Sequence, residues 1–265
     1  MTIDGVTLNT SPRLSIATVH AFSDELKSHL EQNLSYICFG RQLVQSAGVD
    51  DSYYSFEATM DQFAERYLSK DHLTRLGMAG ELLVHLLTEK AFPDLSKASI
   101  YFNKEERSIK KGFDLTYLDG TNQLWFAEVK SGEATALTFP NAQADLANRA
   151  MRDLRDKFAS PIRRTMWDNA IFDAQSVLQQ RQADTARKLL RLDTGPDPDP
   201  DSRRRVVLAT PIFYPHTQDT ISSADAQTTF DRIEKRSPYA DLRIFAIQKS
   251  TLEKISSYIA KKAKA

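Results

Sequence analysis

The sequence predicts an α/β protein with a mixed central sheet flanked by helices, an N-terminal mostly helical region and an inserted helical stretch. Three observations predict it. Phe113–Leu118 and Leu124–Val129 are apolar, strand-like segments, and Asp119-Gly120 between them supplies the positive-φ residues of a tight connection. Several longer segments repeat apolar residues at the helical spacing. Toward the C-terminus strand-like and helix-like segments alternate.

The elements follow in order. After a short extended start, Ser23-Asp24 opens a helical run through Leu26, Leu30 and Leu34, and Asp50-Asp51-Ser52 makes a break before a second run, Phe56–Tyr67. Leu73–Phe92 is the clearest helix, stopped by Pro93, with Gly77 and Gly80 permitting close backbone approach near its start. Ala98–Asn103 reads as a strand, and the charged connection Lys104–Lys110 leads into the paired segments. Pro140-Asn141 opens a helix with Leu146, Ala150, Leu154 and Phe158 on one face. Ser160-Pro161 ends it, and a single helix is expected from about Trp167 to Leu192. The Asp-Pro alternation of 193–202 suits only an exposed extended loop. Arg205–Tyr214 and Leu242–Ile247 are strands, each followed by a helix, Ala224–Lys235 and Thr251–Lys262. The expected organisation is residues 1–70 as the N-terminal region and 71–265 as the main domain, with its helical insertion at about 161–202.

A chain of 265 residues, 41% apolar and 26% charged, can build a full core. No apolar run approaches the ~18–20 residues that cross a bilayer, and no signal-peptide pattern opens the chain, so a cytoplasmic, bacterial-style protein is expected. The single cysteine, Cys38, excludes an internal disulfide and a cysteine-built zinc site; among Tyr36, Ile37 and Phe39 it reads as core. Net charge is zero, so any nucleic-acid footprint must be local. Residues 1–70 lean acidic, whereas 149–164 and Lys261-Lys262-Ala-Lys264 are basic. Arg149, Arg152 and Arg155 offer a phosphate-contacting face, partly neutralised by the i,i+4 pairs Asp145–Arg149 and Asp153–Lys157.

One stretch breaks the apolar pattern. Glu128 and Lys130 are two apart on a strand and share a face, with Val129 opposite, while Asp114 stands on the partner strand. Burying such charges costs several kcal/mol unless they are paired or hold a metal. A hard divalent cation is one such partner, since magnesium takes oxygen ligands from one or two carboxylates plus waters. A surface salt bridge between Glu128 and Lys130 is the plain alternative. Glu81, in the helix before, reads locally as a solvated or dipole-complementing glutamate. His85, one turn on, reads as a half-buried, hydrogen-bonded histidine, and His216 has no evident partner.

Glu81 on a helix, Asp114 on a strand, and Glu128-Val129-Lys130 on the next strand, followed by a helix, resemble the PD-(D/E)xK phosphodiesterase core of restriction and repair nucleases. Asp114 stands fourteen residues before Glu128, and Phe113-Asp114 replaces the usual Pro-Asp. Met78-Ala-Gly-Glu-Leu-Leu-Val-His-Leu-Leu87, Lys111-Gly-Phe-Asp114 and Leu124-Trp-Phe-Ala-Glu-Val-Lys130 are similar, more closely, to the HamA family, the nuclease-like subunit of Hachiman anti-phage defence. The likeness covers about 75–160 well and the rest more loosely.

The resemblance implies a restriction-endonuclease-like core and a magnesium-dependent deoxyribonuclease, with manganese able to substitute. Asp114, Glu128 and the Val129 carbonyl would hold the metal, with Glu81 supporting, and Lys130 would orient the attacking water. Gln143 stands where some superfamily members place a phosphate-side glutamine. It also implies a helicase partner of the HamB kind that restrains the nuclease and supplies DNA, in keeping with the neutral charge. Two other readings stay open: a stand-alone restriction or repair endonuclease, and an inactive nuclease fold serving as an assembly module.

Overall fold

Each apolar stripe becomes a helix laid on one mixed sheet. The computed structural model describes residues 3–48, 52–102, 112–159, 164–193, 203–216 and 219–263. Asp50-Asp51, Asn103 to Lys111, Ser160-Pro161, the Asp-Pro stretch 194–202 and Lys264 fall outside the described residues.

The extended start is a hairpin, β1 (Val6–Thr10) and β2 (Leu14–Val19). Helices α1 (Asp24–Phe39), α2 (Arg41–Ser46), α3 (Phe56–Leu68) and α4 (His72–Ala91) follow. Ser23, Ser55 and Asp71 cap α1, α3 and α4 by accepting the amide hydrogen three residues on, which satisfies donors the helix itself leaves free. Then come β3 (Leu95–Lys97), β4 (Leu115–Asp119), β5 (Leu124–Val129), the short β6 (Gly132–Glu133) and α5 (Phe139–Ala159). The chain closes with α6 (Arg164–Val177), α7 (Gln180–Asp193), β7 (Arg205–Phe213), α8 (Ser223–Glu234), β8 (Asp241–Lys249) and α9 (Glu253–Lys262).

The strand order is β1-β2-β8-β7-β5-β4-β3, with β6 beside β7. Four central strands, β2, β8, β7 and β5, run parallel, and antiparallel partners flank them on both sides. One face buries Ala127, Val129, Ala209 and Phe245 under α1, α3, α4 and α9; the other buries Phe126, Leu208 and Ile244 under α5 to α8. Cys38 is buried in the first of these cores, as expected, and burial pushes its thiol well above the ordinary range. The earliest residues therefore share the sheet that carries Glu128, because β2 lies directly against β8.

Several elements differ from the sequence expectation, each for a local reason. The strand expected at Ala98–Asn103 forms instead at Leu95–Lys97. The amides of Tyr101 and Phe102 donate to Ile37 and Cys38 carbonyls at the end of α1, at 2.8 and 3.2 Å, rather than to a ladder. The single helix expected from Trp167 to Leu192 is two. Its buried stripe runs Ala170, Ala174, Leu178 and then slips to Ala183, Ala186, Leu190, so a straight helix would turn one half out of the core. In the β4–β5 turn the positive-φ residue is Asn122, at 61°, and not Gly120.

Candidate active site

Strand β5 ends beside β7, and α5 returns across that end. Glu128 and Lys130 project toward α5, as their two-residue spacing requires. Lys130 Nζ donates to Glu128 Oε1 at 2.7 Å and pairs with Asp153 of α5 at 2.6 Å. Lys157, one turn further along α5, donates to Glu128 Oε2 and reaches Asp114 Oδ1 at 3.4 Å. Asp114 Oδ2 accepts the Val129 amide at 2.8 Å, tying the approach to β4 to the end of β5. The result is a chain of alternating charge, Asp114, Lys157, Glu128, Lys130, Asp153.

The plain alternative of a surface pair fails on burial, since the Glu128 side chain is 1% exposed. Burial, then the neighbouring Asp114, pushes the Glu128 carboxyl above its usual 4.5 against the pull of Lys157 and Lys130. For Lys130, burial alone would depress the ammonium; Glu128 and Asp153 outweigh it and hold it above 10.5.

The pair expected between Asp153 and Lys157 on the helix surface does not form. Both turn to β5, where an almost buried carboxylate and its lysine offer stronger partners than a solvated neighbour does. No ion pair joins Asp145 to Arg149 among the described residues. Lys157 is the site residue that sequence reasoning missed. Its signal was its place beside Phe158, at the edge of the buried stripe.

Glu81 is not solvated. It lies in the middle of α4, 7% exposed, and lines with Asp114, Tyr101 and Thr116 a cavity of about 30 Å³, room for a water or two. The helix reaches this position because Gly80 has no side chain: a Cβ there would sit 1.9 Å from Ser131 Oγ and 3.1 Å from Pro211. Gly77 has no such role, with nothing within 4 Å of its Cβ position. His85 is wholly buried with its ring edge toward Tyr101, and His216 packs its ring against Tyr214. Gln143 is buried in the first turns of α5, and its Nε2 has no hydrogen-bond partner among the described residues. Thr210 of β7, on the same sheet face as Glu128, is likewise buried with an unpartnered hydroxyl. Arg149, Arg152 and Arg155 are exposed on α5; Arg152 and Arg155 lie on the side away from Asp153 and Lys157, and Arg149 lies one turn before Asp153.

Among the described residues no group of three or more His, Cys, Asp or Glu is arranged to hold a metal. The donors present are the pair Asp114 and Glu128 and the backbone beside them. One and two carboxylates plus waters are what magnesium commonly takes. Lys157 shows that both carboxylates already converge on a single positive charge. The donor set therefore fits one hard divalent cation.

Fold and site together define an α/β protein with a nuclease-like core, a mixed sheet carrying a carboxylate pair and a lysine at one strand end. A family model for HamA matches residues 3–263, and the chain belongs to the HamA family. It is thus a protein associated with Hachiman anti-phage defence. No curated protein matches the chain. No described helix is long and apolar enough to cross a membrane.

Proposed function

We propose that the chain is a metal-dependent DNA nuclease, the effector subunit of a bacterial defence complex, working with a helicase partner that restrains it and supplies its DNA. The observation that carries this reading is the convergence of Asp114 and Glu128 on one cation, with Lys130 fixed on the other oxygen of Glu128. Asp114, Glu128 and the Val129 carbonyl are the residues to hold magnesium or manganese, with Glu81 beside Asp114 to hold a water. When bound, such an ion neutralises the phosphodiester and makes hydroxide accessible near neutral pH. Lys130, held by Glu128 and Asp153, is positioned to steady negative charge gathering on a phosphate oxygen. Gln143, buried at the start of α5, is the candidate to meet the phosphate from the helix side, and Arg149 and Arg152 of the same helix are candidates for phosphates further along the DNA strand.

The test is plasmid degradation by purified protein in magnesium, alone and with a helicase partner of the HamB kind. Wild type is expected to degrade DNA, while Lys130→Ala binds the metal and does not turn over. Equal, magnesium-dependent degradation by wild type and by Glu128→Ala would end the assignment. The family membership supports the defence context; the carboxylate pair supports the chemistry.

A further inference from the structure

A second concentration of charge lies between α5 and α8. Arg149, Arg152 and Arg155 of α5 and Arg236, just past α8, line a cleft of about 680 Å³ with Asn148, Met151, Ile233 and one acid, Asp145. Among the described residues, Arg149, Arg152 and Arg236 make no ion pair, and Arg155 has only its exposed neighbour Asp156 at 3.8 Å. Four like charges around one opening repel each other, and among the described residues Asp145 and Asp156 offset them only in part. A bound polyanion would.

Each guanidinium presents a planar fork that matches phosphate oxygens two at a time. The cleft volume lies within the range of ligand sites, ~300–1,000 Å³. Its apolar lining is Met151 and the buried Ile233, and none of the large exposed apolar side chains, such as Leu137, Phe172 or Leu192, reaches it, so it lacks the exposed aromatic or aliphatic anchors of a protein interface. At ~100° per residue, Arg152 and Arg155 point to the side of α5 away from Asp153 and Lys157, which face Glu128. Whatever binds Arg152 and Arg155 is held on the far flank of the helix that crosses the carboxylate pair, with Arg149 at its near edge, one turn before Asp153.

We propose that this cleft is a phosphate-backbone subsite for a single nucleic-acid strand, separate from the point of chemistry. For its occupant the inference rests on the nuclease reading. It gives a neutral protein a local grip on DNA, and its contribution is to binding rather than to turnover.

The experiment is fluorescence anisotropy of a labelled oligothymidylate with the full chain in chelator, across a salt series. The proteins are wild type and the double variant Arg152→Glu/Arg236→Glu, both exposed positions, with circular dichroism as the check on folding. Expected is a loss of affinity of tenfold or more and a salt slope shallower by about 1.4, the value for two lost single-strand phosphate contacts. The conservative Arg152→Lys/Arg236→Lys variant should keep most of the binding. Unchanged affinity and slope in the charge-reversed variant would overturn the proposal. So would a variant that keeps oligothymidylate but loses polyglutamate, which would assign the cleft to an acidic protein segment. Because no divalent ion is present, the result is independent of cleavage: binding lost in the variant, with wild type inert toward plasmid in magnesium, would support this subsite while overturning the hydrolase.

Discussion

The β4–β5 hairpin carries carboxylates at both ends, and the two ends are satisfied in opposite ways. At the turn, Asp119 Oδ1 accepts the Thr121 amide, the Thr121 hydroxyl and the Gln123 amide at 2.8, 2.7 and 2.9 Å, and Oδ2 accepts the Trp125 indole N–H at 2.9 Å. Burial would raise this carboxyl, yet those neutral donors hold it below its usual 3.8. At the open end, Glu128 is met by two ammonium groups on flexible stems, and its carboxyl stands above the usual range. Short-range donors built into a turn cannot be exchanged without unfolding it. Ammonium groups on long side chains can give way to another cation. The difference separates a carboxylate that makes the fold from one that the fold presents.

Four measurements break or sharpen this contrast. Glu128→Gln should lower the initial rate of supercoiled plasmid loss in magnesium by about a thousandfold, near 4 kcal/mol of transition-state stabilisation; a variant as fast as wild type would leave the open end with no special role. Asp119→Ala should instead cost stability, about 3 kcal/mol for a turn left with several unmet donors, read from the urea midpoint. Its cleavage per folded molecule should equal wild type. Lys157→Met should bind manganese about tenfold more tightly by calorimetry, because the competing charge is gone. Without metal it should lose roughly 2 kcal/mol of stability, restored by magnesium. Weaker manganese binding would show that Lys157 does not stand where the ion goes.

The smallest effect concerns a buried ammonium of a different kind. Lys249 is 1% exposed, among the described residues donates only to Ser250 Oγ at 3.2 Å, and burial brings it down to about 8 from 10.5. Between those values the unfolded chain holds a proton that the folded chain has released, so stability rises with pH across that window. Below it the penalty is complete. Lys249→Met should therefore stabilise at pH 7 by about 1–2 kcal/mol, with the gain fading toward pH 10 in thermal melts. A gain that does not change with pH would mean the ammonium is not under strain from burial.

Much of the fold was legible because its signals are local. The positions of α4, β5 and β7 follow from Pro93, from the apolar run Leu124–Val129 and from the strand-like Arg205–Tyr214, of which Arg205–Phe213 forms the strand. What escaped depends on distant partners. The β1–β2 hairpin looks like a short extended lead until β8 is there to receive β2. Tyr101 and Phe102 look like strand residues until the end of α1 captures their amides. The site divides in the same way. Asp114, Glu128 and Lys130 betray themselves by interrupting apolar segments, whereas Glu81 reads locally as a solvated glutamate and is singled out only by the family resemblance. Lys157 could not be seen as a partner of Glu128, because an i,i+4 acid offered a cheaper explanation within its own helix.

Gly80 has a mechanical consequence. Ser131, the residue on which α4 rests, and Lys130, which faces α5, are neighbours in the chain, so the sheet is one peptide thick between the two helix layers. Any side chain at position 80 that pushes on Ser131 therefore bears on the backbone beside Lys130, one peptide bond from the charge cluster at the end of β5.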